Sequence, residues 1–107
     1  MSVLTYELDG HVGLLTLNRP DSRNSLNPEL IVRLTQIWEQ VKEDPNVRVV
    51  VLTGAGDSTF CSGFDLGTTI PLITGTREPA DEFEEAIKAD RDLLRRATLV
   101  GHDIGIP

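Results

Sequence analysis

The chain has 107 residues, of which 39% are apolar and 25% charged, a composition typical of one globular domain. Its formal net charge of −7 and its lack of a basic patch argue against a nucleic-acid partner, and no apolar stretch reaches the about 20 residues of a membrane helix. A single cysteine, Cys61, and an N-terminus without the basic and apolar regions of a signal peptide favour a reducing, cytoplasmic location.

Two strands are predicted at the N-terminus. Leu4, Tyr6 and Leu8 alternate with polar or small residues, which indicates a half-buried strand. Asp9-Gly10 is a hairpin turn signal, because both residue types tolerate a positive φ. Residues 11–17 then read as the returning strand, and a polar loop rich in Asn, Ser and Asp follows it.

A helix is predicted over residues 28–43. Asn27 is a favourable N-cap, and Pro28 suits the first helical position. Asp44-Pro45-Asn46 ends the helix. Apolar residues recur at helical spacing and define the face that should be buried: Leu30, Leu34, Ile37, Trp38 and Val41.

The next run, Val47–Leu52, is almost continuously β-branched, which predicts a strand covered on both faces, as in a parallel sheet. A glycine-rich loop over 54–67 and a less regular stretch over 68–79 follow. Pro79 is expected to open a second helix that extends to about Thr98. The carboxylates between 81 and 92 are expected on its solvated face, apart from Asp90, which falls on the apolar side and is expected in a partly exposed structural position. The order β-β-α-β-loop-α predicts an α/β fold with one sheet.

Two other chemistries are weighed and set aside. Gly54-Ala55-Gly56 follows a buried strand, as in a dinucleotide-binding fingerprint, but Thr59 replaces the third glycine and no helical period follows. A strand-ending turn is the better interpretation. His11 and His102 lie outside any metal-ligand spacing, so no metal is expected. Cys61 has no base nearby in sequence, which favours a packing role over a nucleophilic one.

Three segments together resemble the N-terminal half of the crotonase family, also called the enoyl-CoA hydratase/isomerase family. They are LTLNRPDSRNSLN, the segment EDPNVRVVVLTGAG and the loop STFCSGFDL, and they occur in the family's order and spacing. The resemblance implies a crotonase-like α/β fold, a spiral of β-β-α units that is truncated here. Residues 1–107 would form the N-terminal part of a single crotonase-like domain.

The resemblance also implies the site. Family members bind acyl-CoA thioesters, and the residue after the glycine of F-x-[AS]-G donates its backbone N–H to the thioester oxygen; here that residue is Phe64. A preorganised N–H in a dry site stabilises developing negative charge. Gly63 would give the loop an unusual φ. For the phenyl ring of Phe64, a core position is favoured over a pocket wall.

Contacts to CoA carry over to the two loops. Many relatives have a basic residue where this chain has Asp21, and this departure counts against a phosphate contact at 21. Arg23 either reaches a CoA phosphate or is a solvated loop charge. Asp65 is expected both to bind ligand and to cap a helical turn after the loop. The residues expected to bind CoA are Ser22, Arg23, Ser62, Gly63, Asp65 and Leu66.

The implied activity is water addition to a 2-enoyl-CoA, with a CoA thioester as substrate and no permanently bound cofactor. In the family the second oxyanion donor and the catalytic Glu lie in the part that follows this segment, so this chain alone is expected to be inactive. The alternatives are isomerisation, thioester hydrolysis or dehalogenation on the same scaffold, and a non-catalytic remnant that binds CoA or its relatives. The family also implies a homo-oligomer, a trimer or a dimer of trimers.

Overall fold

The computed structural model describes residues 2–75 and 77–90, which form an α/β arrangement around one sheet. Three strands lie in the order β1-β2-β3. They span Leu4–Asp9 (β1), Val12–Leu17 (β2) and Val49–Gly54 (β3). The predicted α/β class and the single sheet are therefore confirmed.

A tight hairpin joins β1 to β2. The two strands are antiparallel, and Asp9 pairs with Val12, so Gly10 and His11 form the turn. Only Gly10 has a positive φ, 62°. The return strand thus begins one residue later than predicted. β3 then pairs with β2 in parallel, from Val12 opposite Val49 to Leu17 opposite Gly54.

The crossover between these parallel strands is the helix α1, Pro28–Glu43, with the predicted bounds. The Asn27 side chain accepts a hydrogen bond from the Leu30 N–H at 2.9 Å, as a helix N-cap does. The apolar face of α1 packs on the core face of the sheet. The most buried members of this core are Leu15, Leu17, Leu30 and Ile31.

Two short helices follow, and both differ from the prediction. The irregular stretch after the glycine-rich loop contains α2, Thr69–Thr74. The next helix, α3, spans Glu82–Ala89 and is capped by the Asp81 side chain, so it begins after Asp81 and not at Pro79. Asp90 is its C-cap, and the rest of the predicted helix, up to Thr98, lies outside the described residues, as does His102.

The prediction that β3 is covered on both faces is wrong for the described residues. Val50 and Leu52 pack toward the core, whereas Val49 and Val51 point the other way and are 45% and 46% exposed. Nothing described in this chain packs on that outer face. None of the helices in the described ranges has the length and apolar character needed to span a membrane.

Candidate functional site

The parallel pairing of β2 and β3 brings two loops to one edge of the sheet. The carboxyl ends of parallel strands lie at the same edge, so the segment 18–27 after β2 meets the segment 55–68 after β3. We call these the β2–α1 loop and the donor loop. The Ala55 N–H donates to the Leu17 carbonyl at 2.7 Å, which starts the donor loop directly beside the end of β2.

Backbone hydrogen bonds join the two loops further along. The Ser62 N–H donates to the Arg23 carbonyl at 3.1 Å. Leu26 then forms a parallel bridge with Phe64. In this bridge the Leu26 N–H donates to the Gly63 carbonyl at 2.8 Å, and the Asp65 N–H donates to the Leu26 carbonyl at 3.1 Å.

This bridge determines where the Phe64 N–H points. Leu26 bonds to the residues before and after Phe64, and in such a parallel bridge the N–H and C=O of the residue between them point to the opposite side. The Phe64 N–H therefore faces away from Leu26, and it has no acceptor within residues 2–75 and 77–90. Gly63, with φ +103°, makes the turn that presents it. The unusual φ predicted for Gly63 is thus confirmed.

The loops enclose an open cleft of about 470 Å³. Every CoA-contact residue predicted from the sequence lines it, except Gly63, which lies in the backbone ladder behind it. Leu66 is 80% exposed at the cleft, whereas the Phe64 ring packs partly against the hydrophobic core. The lining residues are Ser22, Arg23, Ser25, Ser62, Phe64, Asp65, Leu66 and Gly67.

Asp65 has a structural role in this cleft. Its Oδ1 accepts hydrogen bonds from the N–H groups of Gly67 at 2.9 Å and Thr68 at 3.1 Å, so it caps the turn that leads into α2. Burial alone would raise the pKa of the Asp65 carboxyl, but hydrogen bonds from these N–H groups and from the Ser25 hydroxyl outweigh it and leave the pKa below its ordinary value. The predicted cap is confirmed.

Arg19 is a site residue that the sequence did not reveal. Its guanidinium lies 3.5 Å from Asp65 Oδ2 and donates to the Ser25 hydroxyl at 3.0 Å and to the Ser25 carbonyl at 2.5 Å. Ser25 in turn donates to Asp65 at 3.3 Å. Asp65 lies 40 or more residues beyond both Arg19 and Ser25, so no local spacing indicates the network. The basic residue inside NRPDS is the one available signal.

The remaining candidates have packing or turn roles. Cys61 is a free thiol packed against the core, as predicted. His11 lies in the turn before β2, where its Nδ1 is 2.7 Å from the Asn46 carbonyl oxygen. Within the described part of the chain no cluster of three or more His, Cys, Asp or Glu side chains could hold a metal ion.

Known proteins share this arrangement. The family model for enoyl-CoA hydratase/isomerase matches residues 7–100. The chain is 50% identical over 68 residues to an (E)-benzylidenesuccinyl-CoA hydratase of Thauera aromatica, which covers 64% of this chain and 27% of that protein. It is 38% identical over 79 residues to an enoyl-CoA hydratase, EchA19, of Mycobacterium tuberculosis, covering 74% of this chain and 27% of that protein.

Among solved structures, a carnitinyl-CoA dehydratase from Mycobacterium avium superposes with a TM-score of 0.61 and 40% sequence identity, over 64% of this chain and 27% of that one. The matched region lies in the N-terminal part of the relatives and spans about a quarter of their length. The β-β-α-β order, the two joined loops and this likeness agree, and the chain belongs to the enoyl-CoA hydratase/isomerase family, with the crotonase fold.

Proposed function

We propose that this chain supplies the thioester-binding part of an enoyl-CoA hydratase, and that residues 1–107 are the N-terminal part of a single crotonase-like domain. The observation that carries the proposal is the outward-facing N–H of Phe64, held by the bridge to Leu26 beside an open cleft. An N–H fixed by the backbone costs no reorganisation when charge develops on a bound oxygen.

The chemistry follows from this donor. When water adds to the β-carbon of a 2-enoyl thioester, electron density moves onto the thioester oxygen. The hydrogen bond from a donor already aimed at that oxygen is stronger in the transition state than in the ground state. Removing one such donor typically costs about 2.7–4 kcal/mol of barrier lowering. Phe64 is therefore proposed as the catalytic residue through its backbone N–H.

The cleft would hold the CoA portion, with Ser22 and Arg23 on one loop and Ser62, Asp65 and Leu66 on the other. Gly63 contributes through its backbone. The Ser62 N–H is already bonded to Arg23, so Ser62 offers its exposed side chain. Asp65 is held by Arg19 and Ser25, so it shapes the cleft more than it contacts a ligand. The ligand is a CoA thioester, with no permanently bound cofactor.

Hydration also needs a base for the water and an acid for the α-carbon. Of the carboxylates on α3, Asp81 caps the helix and Glu84 is paired with Arg77. We therefore propose that these 107 residues alone do not hydrate an enoyl-CoA.

Isomerisation, thioester hydrolysis and dehalogenation could use the same donor, and a non-catalytic CoA-binding role remains the second candidate. The hydratase and dehydratase names of the relatives favour hydration. A homo-oligomeric, cytoplasmic enzyme is proposed for the complete protein.

The experiment is infrared difference spectroscopy of crotonyl-CoA carrying ¹³C at the thioester carbon. On binding to the chain, the carbonyl stretch should move to lower frequency because the Phe64 N–H polarises it. Phe64→Ala keeps the N–H and should keep the shift, whereas Phe64→Pro removes the N–H and should abolish it. Ligand bound by the original chain with an unshifted carbonyl would refute the oxyanion role.

A further inference from the structure

Asn24 is unusual for a residue in a surface loop. Its neighbour Arg23 is exposed, yet the side chain of Asn24 is completely buried, with 0% exposure. Both residues have φ +55°, in the left-handed region. Asparagine adopts this conformation more readily than most residues, but the left-handed region is still uncommon for any residue other than glycine. A buried amide in such a backbone indicates a specific set of partners.

The Asn24 amide has three hydrogen bonds. Its Oδ1 accepts from the Arg19 N–H at 2.8 Å. Its Nδ2 donates to the carbonyls of Ala55 at 3.0 Å and Thr59 at 2.9 Å, both in the donor loop. One side chain therefore fixes the β2–α1 loop and ties it to two points of the donor loop that lie more than 30 residues further along the chain.

Gly54 shows how closely the two loops approach. A Cβ at this position would lie 2.7 Å from Asn24 Nδ2 and would also meet the Phe60 carbonyl oxygen. Any other residue at 54 would therefore push the Asn24 amide away from its two carbonyl partners. The Asn24 amide packs directly against the end of β3. This contact fixes the position of the upstream half of the donor loop.

The downstream half of the donor loop carries the Phe64 N–H. It is joined to the β2–α1 loop at Arg23 and Leu26, directly on either side of Asn24 and Ser25. We infer that Asn24 is a positioning residue: its amide fixes the donor loop so that the Phe64 N–H keeps the orientation set by the bridge. The effect of this positioning on a bound thioester rests on the proposed function. The positioning itself is a property of the unliganded chain.

The chemistry requires an amide. Asparagine supplies one acceptor and two donors, and all three are used here. An aspartate has the same shape but would place a carboxylate, which only accepts, against the carbonyl oxygens of Ala55 and Thr59. The Asn24→Asp variant therefore removes the two donor-loop bonds while it keeps the acceptor for the Arg19 N–H.

The first measurement is hydrogen–deuterium exchange of the ligand-free chain, resolved to single residues by mass spectrometry. In Asn24→Asp the Ser62 and Asp65 amides should exchange about tenfold faster or more, since buried hydrogen bonds that hold their loop are lost. The control is Asn27→Ala, which removes the helix cap three residues away and leaves the donor loop untouched. It should speed exchange at the start of α1 only.

The second measurement is the carbonyl shift of bound ¹³C-labelled crotonyl-CoA at saturation. Asn24→Asp should lose most of the shift and Asn27→Ala should keep it. Unchanged exchange of Ser62 and Asp65 in Asn24→Asp would overturn the inference, whatever the ligand does. An original chain without a carbonyl shift would refute the proposed function, while the exchange data still decide the role of Asn24.

A second variant guards against a general loss of folding. Asn24→Gly suits the left-handed backbone and deletes the amide, so it should reproduce the faster exchange in the donor loop while α1 stays protected. If both variants lose the protection of α1 together with that of the donor loop, Asn24 serves overall stability and the positioning role is overturned.

Discussion

Single residues in the donor loop are constrained by backbone geometry rather than by space. Gly63 has φ +103°, and a Cβ placed on it would meet nothing within 4 Å. Gly67, four residues later, has an ordinary φ, and a Cβ there would be in normal contact with Asp65 at 3.5 Å. The two glycines therefore form a matched pair that separates backbone strain from crowding.

We expect Gly63→Ala to lower the free energy of unfolding by about 1–3 kcal/mol, because alanine is strained at this φ. Gly67→Ala should change it by less than about 0.5 kcal/mol, as a surface substitution without strain does. Urea denaturation of both variants measures the difference. Equal stability of the two variants would mean that the loop relaxes around an alanine at 63, and that the turn at Gly63 does not depend on glycine.

Arg23 tests the phosphate contact that the resemblance implies. It is exposed at the cleft, and within the described residues no ion pair neutralises it. We expect Arg23→Ala to weaken binding of crotonyl-CoA by about tenfold or less, since a charge-assisted hydrogen bond is lost at a solvated site. Isothermal titration calorimetry measures this, and the effect should shrink as salt rises.

Arg48 is the matched control for charge. It is also exposed, but it precedes β3 and lies at the opposite edge of the sheet from the cleft. Arg48→Ala should leave the affinity unchanged. An equal loss of affinity in both variants would indicate a general effect of net charge, and Arg23 would then be the solvated loop residue of the alternative interpretation.

At the scale of elements, prediction succeeded where the signals are local. α1 has the predicted bounds because its cap, its first-turn proline and its apolar period all lie within the helix. α2 has only six residues, too few for a period to be recognised, and it begins after a turn capped by Asp65. The sequence predicts the start of α3 too early, because Pro79 is a stronger helix-start signal than Asp81, the residue that caps the helix.

Glu84 shows a second limit of local patterns. The sequence predicted the carboxylates of this helix on a solvated face, yet Glu84 is 8% exposed. Its Oε1 accepts from Arg77 at 2.6 Å and from the Ala80 N–H at 3.0 Å, and Arg77 also donates to the Thr68 carbonyl at 2.8 Å. The pair joins α3 to the end of the donor loop. Arg77 and Glu84 are seven residues apart, a spacing that predicts no contact.

This pair predicts a pH dependence. The hydrogen bond from Arg77 outweighs burial and lowers the pKa of Glu84 below its ordinary 4.5. The stabilisation is therefore complete above the unfolded-state pKa and is lost as the pH falls through the lower, folded-state value. We expect the free energy of unfolding to fall as the pH drops below the ordinary glutamate value of 4.5, and Glu84→Gln to reduce that fall.

Urea denaturation at several pH values measures this, with Glu82→Gln as the control. Glu82 lies in the same helix but is exposed, so its substitution should leave the pH dependence as it was. Asp65, whose pKa is also lowered, should account for part of the dependence that remains in Glu84→Gln. A pH profile that Glu84→Gln does not change would contradict the proposed strength of the Arg77 pair.

For the whole molecule, the fold class, the sheet and the location of the cleft could be predicted, because apolar periods and the NRP and FCSGFDL segments mark them. The contacts between loops could not be predicted. Asn24 donates to the Thr59 carbonyl and Arg19 pairs with Asp65, both across a gap in sequence that the parallel pairing of β2 and β3 closes. Their roles follow from topology, and a single sequence shows topology only indirectly.

The outer face of the sheet also has features that the sequence predicts and others that it does not. Across the register, Val12 pairs with Val49 and Leu14 with Val51, so these four apolar side chains form one continuous patch on the outer face. On β1 the same face carries Thr5, Glu7 and Asp9. The apolar part thus lies next to β3, an edge strand of the described sheet. The apolar composition of Val47–Leu52 predicts a strand covered on both faces, whereas residues 2–75 and 77–90 cover only one face of β3.

An apolar patch beside an open strand edge favours association. We therefore expect the isolated chain to form oligomers or aggregates, with a mass that rises with concentration in light scattering. Val51→Lys places a charge at the centre of the patch and should shift the chain toward the monomer. Gln36→Lys adds the same charge on the exposed side of α1 and should not. A monodisperse monomer in the original chain, or an equal effect of both lysines, would show that the patch does not drive association.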